Sequence, residues 1–188
     1  NIEIINEDIL KLDINKLAPK AKVVANLPYY ITTSIITELI KTNITDITIL
    51  IQKEVAERIC ATPGDKKAGA ITYFVNYYAD AEIVANVSKE SFIPAPEVES
   101  AIVRIKKLSE PRVKVKNEEL LFKLIKENFT KRRKTIMNSI SQNIEKNKFE
   151  ISKEDLEIKF GIKDQKVTKV KDIIFGINQI IRRKIEEK

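Results

Sequence analysis

Strand-like and helix-like segments alternate over the first hundred residues, and this alternation restricts the fold more than any other feature. The β-branched, strand-like segments are residues 23–25, 44–51, 81–87 and 101–106. The segments with helical spacing of apolar residues are 32–40 and 53–61. Such alternation predicts an α/β sheet with helices on both faces. Because no long helix separates the last two strands, they predict an antiparallel hairpin at one edge.

Several local signals refine this prediction. Residues 2–5, Ile-Glu-Ile-Ile, form a further short β-branched, strand-like run. Thr32 or Thr33 is placed to cap the first of the two helices. The Pro63-Gly64 pair is placed to end the second. Residues 71–78 fit either a helix or a strand.

The pattern changes after Pro111, where helical spacing takes over. Helical segments are predicted at residues 117–129, 132–144, 152–161 and from 168 onwards. We therefore predict two domains, an α/β domain of residues 1–108 and a small all-α domain of residues 109–188.

Charge is unevenly distributed along the chain. Residues 1–103 carry 10 basic and 14 acidic residues, a net charge of −4. Residues 104–188 carry 24 basic and 13 acidic residues, a net charge of +11. A basic C-terminal part is typical of a surface that binds phosphates. A solvated, lysine-rich helical surface explains the same charge equally well.

The composition excludes several classes of site. The chain has no His, so Ser-His-Asp and Cys-His catalysis and His-bearing zinc sites are excluded. Its single cysteine, Cys60, excludes internal disulfides. Its four glycines, at 64, 69, 161 and 176, form neither a G-x-G-x-x-G motif nor a P-loop. No apolar run approaches the ~18 residues of a membrane span. The start lacks Met and is not a signal peptide, so we expect a processed or truncated chain.

Asn26-Leu27-Pro28-Tyr29 follows the strand 23–25, at the strand end where open α/β sheets bind ligands. The Asn26 side-chain oxygen and the Leu27 carbonyl can each accept a hydrogen bond from one –NH₂ group, while Pro28 stiffens the turn. Tyr29 offers a flat face on which a base can stack, worth ~1–3 kcal/mol. Two acceptors favour a pyramidal, nucleophilic nitrogen in an exocyclic adenine amine without a titrating base. A strand-to-helix turn with an Asn cap and a core Tyr is the alternative.

Phe92 begins a proline-braced loop, Phe92-Ile-Pro-Ala-Pro, between the two late strands. An aromatic residue just before the prolines is suited to form the second wall of a base pocket. A core phenylalanine under a loop is the alternative.

These motifs resemble the small-subunit rRNA adenine N6,N6-dimethyltransferases (KsgA type). The resemblance rests on five separated motifs in the family's order, within residues 1 to 145. They are Val23-Val-Ala-Asn-Leu-Pro-Tyr-Tyr-Ile-Thr-Thr, Gln52-Lys-Glu-Val-Ala-Glu-Arg, Pro63-Gly64, Phe92-x-Pro-x-Pro-x-Val-x-Ser and Phe129-Thr-Lys-Arg-Arg-Lys-Thr-Ile-Met-Asn-Ser. The related erythromycin-resistance 23S rRNA methylases share Asn-x-Pro-Tyr, but Leu27 and the Arg-Arg-Lys-Thr stretch look more like the small-subunit enzymes.

The resemblance implies a Rossmann-like methyltransferase domain and a basic helical rRNA-binding domain. It implies the transfer of methyl groups from S-adenosylmethionine to N6 of two adjacent adenines in the 3′-terminal hairpin of small-subunit rRNA. In such enzymes the residues matching Asn26 and the Leu27 carbonyl hold the target amine. Those matching Tyr29 and Phe92 stack on the flipped adenine.

The resemblance also implies contacts with the methyl donor. Asp8 and Ile9 match positions near the adenine of S-adenosylmethionine, and Asn26 lies beside the donor as well. No metal is implied. For Asp8, a helix N-cap is the alternative role.

The run Lys131-Arg132-Arg133-Lys134 is the densest basic stretch, and the resemblance favours RNA phosphate binding for it over a solvated face. Lys53 and Arg58 are further candidates to contact RNA, or to pair with Glu54 and Glu57 at i,i+4 spacing. The implied substrate is rRNA in a pre-30S particle. We expect a cytoplasmic monomer without membrane contact.

Three departures from the family pattern stand out. The family's glycine-rich cofactor loop, its ribose-binding acidic residue and two central strands precede the point where this chain begins, so we expect weak binding of S-adenosylmethionine. Ala68 stands where the family often has an aromatic residue, and Lys166-Val167-Thr168 replaces an Arg-Pro/Ala-Glu signature.

A 23S rRNA methylase and a non-catalytic RNA-binding assembly factor are the alternative functions. A sheet without its central strands could also dimerise through its exposed edge.

Overall fold

A computed structural model describes residues 2–19, 21–113, 115 and 117–130 of the chain. Among the described residues, those up to Thr62 and Ile71–Arg112 belong to one unit, and Pro63–Ala70 belong to a second with the described residues after Arg112. The predicted domain boundary after residue 108 stays a prediction. The predicted helices at 132–144, 152–161 and from 168 onwards lie outside the described residues.

Four strands and five helices are described. The strands are β1 (Val23–Asn26), β2 (Asp46–Gln52), β3 (Ala79–Val87) and β4 (Ser100–Lys107). The helices are α1 (Ile14–Leu17), α2 (Thr32–Lys41), α3 (Lys53–Ile59), α4 (Ala70–Tyr78) and α5 (Glu118–Thr130). The segment 71–78, for which the sequence allowed either state, is therefore helical.

The strands form a single described sheet in the order β1-β2-β4-β3. β1 is parallel to β2, whereas β4 is antiparallel to both of its neighbours, β2 and β3. The predicted α/β class and the antiparallel pair at one edge are confirmed. That helices cover both faces stays a prediction.

The core lies on one face of the sheet. Along β2, Ile47, Ile49 and Ile51 are at most 1% exposed, while the residues between them are half-buried. This period of two is that of a strand with one face packed. The predicted apolar face of α2 is also buried, at Ile35, Ile36, Leu39 and Ile40.

Two local predictions are wrong. Residues 2–5 are not a strand, because the described chain places no strand beside them to satisfy their backbone groups, and Ile2 and Ile4 are exposed. Neither Thr32 nor Thr33 caps α2, since the N-cap position is Ile31. Thr32 is instead buried, and its Oγ1 donates to the Pro28 carbonyl at 2.9 Å.

Helix α3 ends at Ile59, before the Pro63-Gly64 pair that was expected to terminate it. Gly64 has φ 100°, in the left-handed region that a residue without Cβ adopts readily. The pair therefore forms a turn of its own.

Asp46 and Arg104 pair on the less buried face of the sheet, between β2 and β4. Arg104 Nε donates to Asp46 Oδ1 at 3.1 Å, and Nη2 donates to Oδ2 at 2.8 Å. The Asp46 side chain is 17% exposed, so this is a partly shielded bidentate pair. The hydrogen bond from Arg104 lowers the pKa of Asp46 below its usual 3.8, although partial desolvation opposes the shift.

Because the folded-state pKa of Asp46 is lowered, its stabilising effect is complete above pH 3.8 and is lost as the pH falls through the lowered pKa. We expect Asp46→Asn to lower the urea midpoint of unfolding at pH 7. Below pH 3, the midpoints of the variant and of the native chain should lie closer together. The matched control is Glu38→Gln, whose Lys41 partner is 3.7 Å away and half-exposed, and it should have little effect at either pH. A midpoint difference for Asp46→Asn that is independent of pH would contradict this role.

Candidate active site

The Asn26-Leu27-Pro28-Tyr29 turn lies between β1 and α2, at the carboxyl end of β1. The Leu27 N–H donates to the Leu50 carbonyl of β2 at 3.2 Å, which continues the parallel pairing one residue past the strand. Leu27 is buried, Tyr29 is half-buried, and Asn26 and Pro28 are exposed. Leu27 therefore fixes the turn to the sheet, while Asn26 is exposed to solvent.

The carbonyl groups of this turn differ in their hydrogen bonding. The Pro28 carbonyl accepts from the Ile31 N–H at 3.3 Å and from Thr32 Oγ1 at 2.9 Å. Within the described part of the chain, neither the Leu27 carbonyl nor the Asn26 side-chain amide has a hydrogen-bond partner. The structure thus has two unpartnered acceptors in consecutive residues of this turn, and that they bind a target amine stays a prediction.

Tyr29 reaches a residue on a distant strand. Its Oη lies 2.8 Å from Oγ of Ser100, the first residue of β4. Ser100 is fully buried. Ser100 stands opposite Gln52, the last residue of β2. Since β2 lies between β1 and β4, the Tyr29 side chain passes across the carboxyl end of β2.

The Phe92 loop leaves β3 through a short 3-10 turn, Lys89–Ser91, which Ser88 caps. The Phe92 N–H donates to the Lys89 carbonyl at 3.3 Å, and the Phe92 side chain is half-buried. The next residue, Ile93, is fully exposed, and its peptide bond to Pro94 is cis. That Phe92 and Tyr29 form the two walls of one pocket stays a prediction.

The far end of this loop is attached to the start of α3. The Lys53 N–H donates to the Glu99 carbonyl at 3.0 Å, and Lys53 Nζ lies 2.5 Å from Glu99 Oε2. This pairing lowers the pKa of Glu99 and raises that of Lys53. The sequence offered Glu57 as a neighbour for Lys53 but gave no signal for Glu99. The pairing of Arg58 with Glu54, at 2.5 Å, is as expected.

Asp8 lies in a tight turn and not at the end of a strand. Its Oδ1 accepts from the Leu10 N–H at 3.0 Å, and its carbonyl accepts from the Lys11 N–H at 2.8 Å. The side chain is exposed, and its second carboxylate oxygen has no partner among the residues described. That oxygen can accept a hydrogen bond from an exocyclic amine.

Ile9, the other residue expected near the methyl donor, is half-buried. The basic run 131–134 lies outside the described residues.

The described residues hold no group of three or more Cys, Asp or Glu side chains placed to bind a metal ion. None of the described helices is both long and apolar enough to cross a membrane.

Cys60, which follows α3, is half-buried. Burial, with a smaller effect of the nearby Glu82 carboxylate, raises the pKa of its thiol to about 11. Since the thiolate is the reactive form, Cys60 is not suited to act as a nucleophile near neutral pH.

We expect iodoacetamide to alkylate Cys60 slowly at pH 8, because a thiol of pKa about 11 carries about a hundredfold less thiolate than one of pKa 9.0. Mass spectrometry of the native chain and of the chain in 8 M urea would give the two rates. Equal rates would show that the thiol is not shielded in the folded protein.

Comparisons with known proteins identify close relatives. The family described as ribosomal RNA adenine dimethylase matches residues 1–179. The protein named ribosomal RNA small subunit methyltransferase A from Clostridium botulinum (strain Kyoto / Type A2) is 47% identical over 156 residues, 80% of this chain and 57% of that protein. Its namesake from Lachnoclostridium phytofermentans is 50% identical over 153 residues, 77% of this chain and 53% of that protein. The chain thus spans about half the length of these curated relatives.

Two solved structures share the fold. The 23S rRNA methyltransferase ErmE superposes with a TM-score of 0.64 at 22% identity, over 95% of this chain and 72% of that one. A dimethyladenosine transferase from Plasmodium falciparum superposes with a TM-score of 0.63 at 23% identity, over 85% and 68%. This likeness confirms the Rossmann-like α/β fold that the sequence predicts.

Proposed function

Because this chain belongs to the ribosomal RNA adenine dimethylase family, we propose that it methylates N6 of two adjacent adenines in the 3′-terminal hairpin of small-subunit rRNA. The methyl donor is S-adenosylmethionine, and the substrate is a pre-30S particle in the cytoplasm. One observation carries the proposal. Beside the half-buried Tyr29, the exposed Asn26 amide and the Leu27 carbonyl are two acceptors without partners in the described part of the chain.

The two acceptors determine how the target amine is held. A stacked adenine cannot present N6, so the base must leave its helix and enter the site. Asn26 Oδ1 and the Leu27 carbonyl then accept one N6 hydrogen each before the first transfer. Each transfer releases one N6 proton to the solvent at the exposed Asn26, and before the second transfer one of the two acceptors holds the remaining hydrogen. The neighbouring Pro28 carbonyl is already engaged by Ile31 and Thr32, which makes Leu27 the acceptor. Holding both hydrogens on one side turns the nitrogen lone pair towards the methyl donor.

The flat faces of the adenine are held by aromatic rings. Tyr29 stacks on one face and Phe92 closes the other, with each stacked ring worth ~1–3 kcal/mol. Stacking restricts the base to one plane, so the two hydrogen bonds of the amine are formed in a single orientation. No residue has to titrate near neutral pH, in agreement with a chain that contains no His.

S-adenosylmethionine, when bound, supplies a methyl group activated by its positive sulfur. The unpaired carboxylate oxygen of Asp8 fits the exocyclic amine at the adenine end of this donor, with the main chain of Ile9 beside it. The exposed Asn26 would contact the donor as well as the target base. Because these 188 residues contain no glycine-rich phosphate- or ribose-binding loop, these groups account for part of the donor's contacts.

Replacing Asn26 by Ala removes one of the two acceptors, and we expect methyl transfer to fall by about a hundredfold or more. Transfer would be measured with tritium-labelled S-adenosylmethionine and pre-30S particles. The urea midpoint should not change, because Asn26 is exposed. The matched control is Asn86→Ala, an exposed asparagine on β3, which should keep native activity. Native transfer rates in Asn26→Ala would refute the assignment.

The basic run 131–134 is proposed to bind rRNA phosphates, in keeping with the net charge of +11 over residues 104–188. Replacing Arg132 and Arg133 by Ala should weaken RNA binding and make the slope of log K against log [salt] shallower by about 1–2. Replacing Lys16 and Lys41 by Ala is the control and should leave the slope unchanged. An unchanged slope in the arginine variant would exclude phosphate binding by this run.

A further inference from the structure

The hydrogen bond between Tyr29 and Ser100 joins two segments that are 71 residues apart in the sequence. The two hydroxyl oxygens lie 2.8 Å apart, and either can be the donor. Ser100 is 0% exposed, whereas Tyr29 is half-buried. A buried hydroxyl thus holds the tip of a half-buried ring.

The Ser100 hydroxyl is attached to a firmly held part of the backbone. Ser100 pairs with Gln52 of β2 on one side and with Val87 of β3 on the other. The residue before it, Glu99, is bound to Lys53 through both its carbonyl and its carboxylate. A group mounted in this way can hold a functional side chain within the small tolerance that a binding site needs.

The adjacent Tyr30 shows what a tyrosine on this turn does without such a partner. Tyr30 is 87% exposed, and in the described structure its side chain makes no hydrogen bond. A tyrosine ring turns about two side-chain torsions, the second of which is broad. Because Oη lies on the axis of the second torsion, the hydrogen bond at the tip acts on the first torsion and fixes where the Tyr29 ring lies.

We infer that Ser100 is a positioning residue of the adenine site: its hydroxyl fixes the position of the Tyr29 ring on which the flipped base stacks. The inference rests on the proposed function. Ser100 also ends the loop that begins at Phe92. One side chain therefore links the turn that carries Tyr29 to the loop that carries Phe92.

The test separates binding from stacking. An RNA hairpin with two adjacent loop adenines carries a dye at its end, and one of these adenines is replaced by 8-vinyladenine, a fluorescent analogue that keeps the N6 amine. Anisotropy of the dye measures binding, while quenching of the analogue measures stacking on the ring. In Ser100→Ala, we expect unchanged anisotropy and about a fivefold fall in the ratio of stacked to unstacked base, as for the loss of one hydrogen bond.

Four further variants define the mechanism. Tyr29→Phe keeps the ring but loses the bond, so it should match Ser100→Ala, and the double variant should be no worse than either. Ser100→Thr keeps the hydroxyl and should restore the quenching. Tyr30→Phe makes the same change at the exposed tyrosine and should behave as the native chain. Urea midpoints of all variants would show that each is folded.

The failures can be told apart. Native quenching in folded Ser100→Ala would overturn the inference and leave the proposed function standing. So would native quenching in folded Tyr29→Phe, since the ring would then be positioned without the hydrogen bond. If the native chain binds the hairpin without quenching, Tyr29 is not a stacking platform, and the proposed adenine site falls together with the inference.

Discussion

The antiparallel placement of β4 between β2 and β3 is the constraint on which the candidate site depends. β1 and β2 run in the same direction, so their carboxyl ends lie at one edge of the sheet. Because β4 runs the opposite way, its first residue, Ser100, meets the same edge. The turn after β1 and the loop before β4 are thereby brought together. A β4 parallel to β2 would place Ser100 at the other end of the sheet.

At this edge, neighbouring backbone groups differ in their hydrogen bonding. Some are bonded within the fold, and one between them has no partner in the described structure. The Leu27 N–H extends the pairing of β1 with β2, and the Pro28 carbonyl is bonded to the start of α2. The Leu27 carbonyl between them has no partner in the described structure. Unsatisfied acceptors are normally avoided in folded proteins, and they are tolerated here because the turn faces solvent. The site is thus made partly of main-chain groups, which substitution of side chains does not remove.

The sequence predicts what depends on local pattern and misses what depends on distant partners. The alternation of residues 46–52 and the spacing in α2 are visible in the chain itself, and so is the Asn26-Leu27-Pro28-Tyr29 turn. Residues 2–5 have strand composition, yet composition supplies no neighbour to pair with. The Lys53–Glu99 and Tyr29–Ser100 contacts follow from the strand order. A single sequence does not show that order.

The strand order also sets when the candidate site can form during synthesis. Within the described sheet, β3 pairs with β4 alone, so it has no strand partner until β4 has left the ribosome. The parallel pair of β1 and β2 can form earlier, but its carboxyl edge is then without Ser100. Pairings between distant segments form slowly, because the intervening chain must first be ordered. The edge proposed to hold the adenine is consequently the last part of the described sheet to form. A nascent chain has it only after β4 has paired with β2.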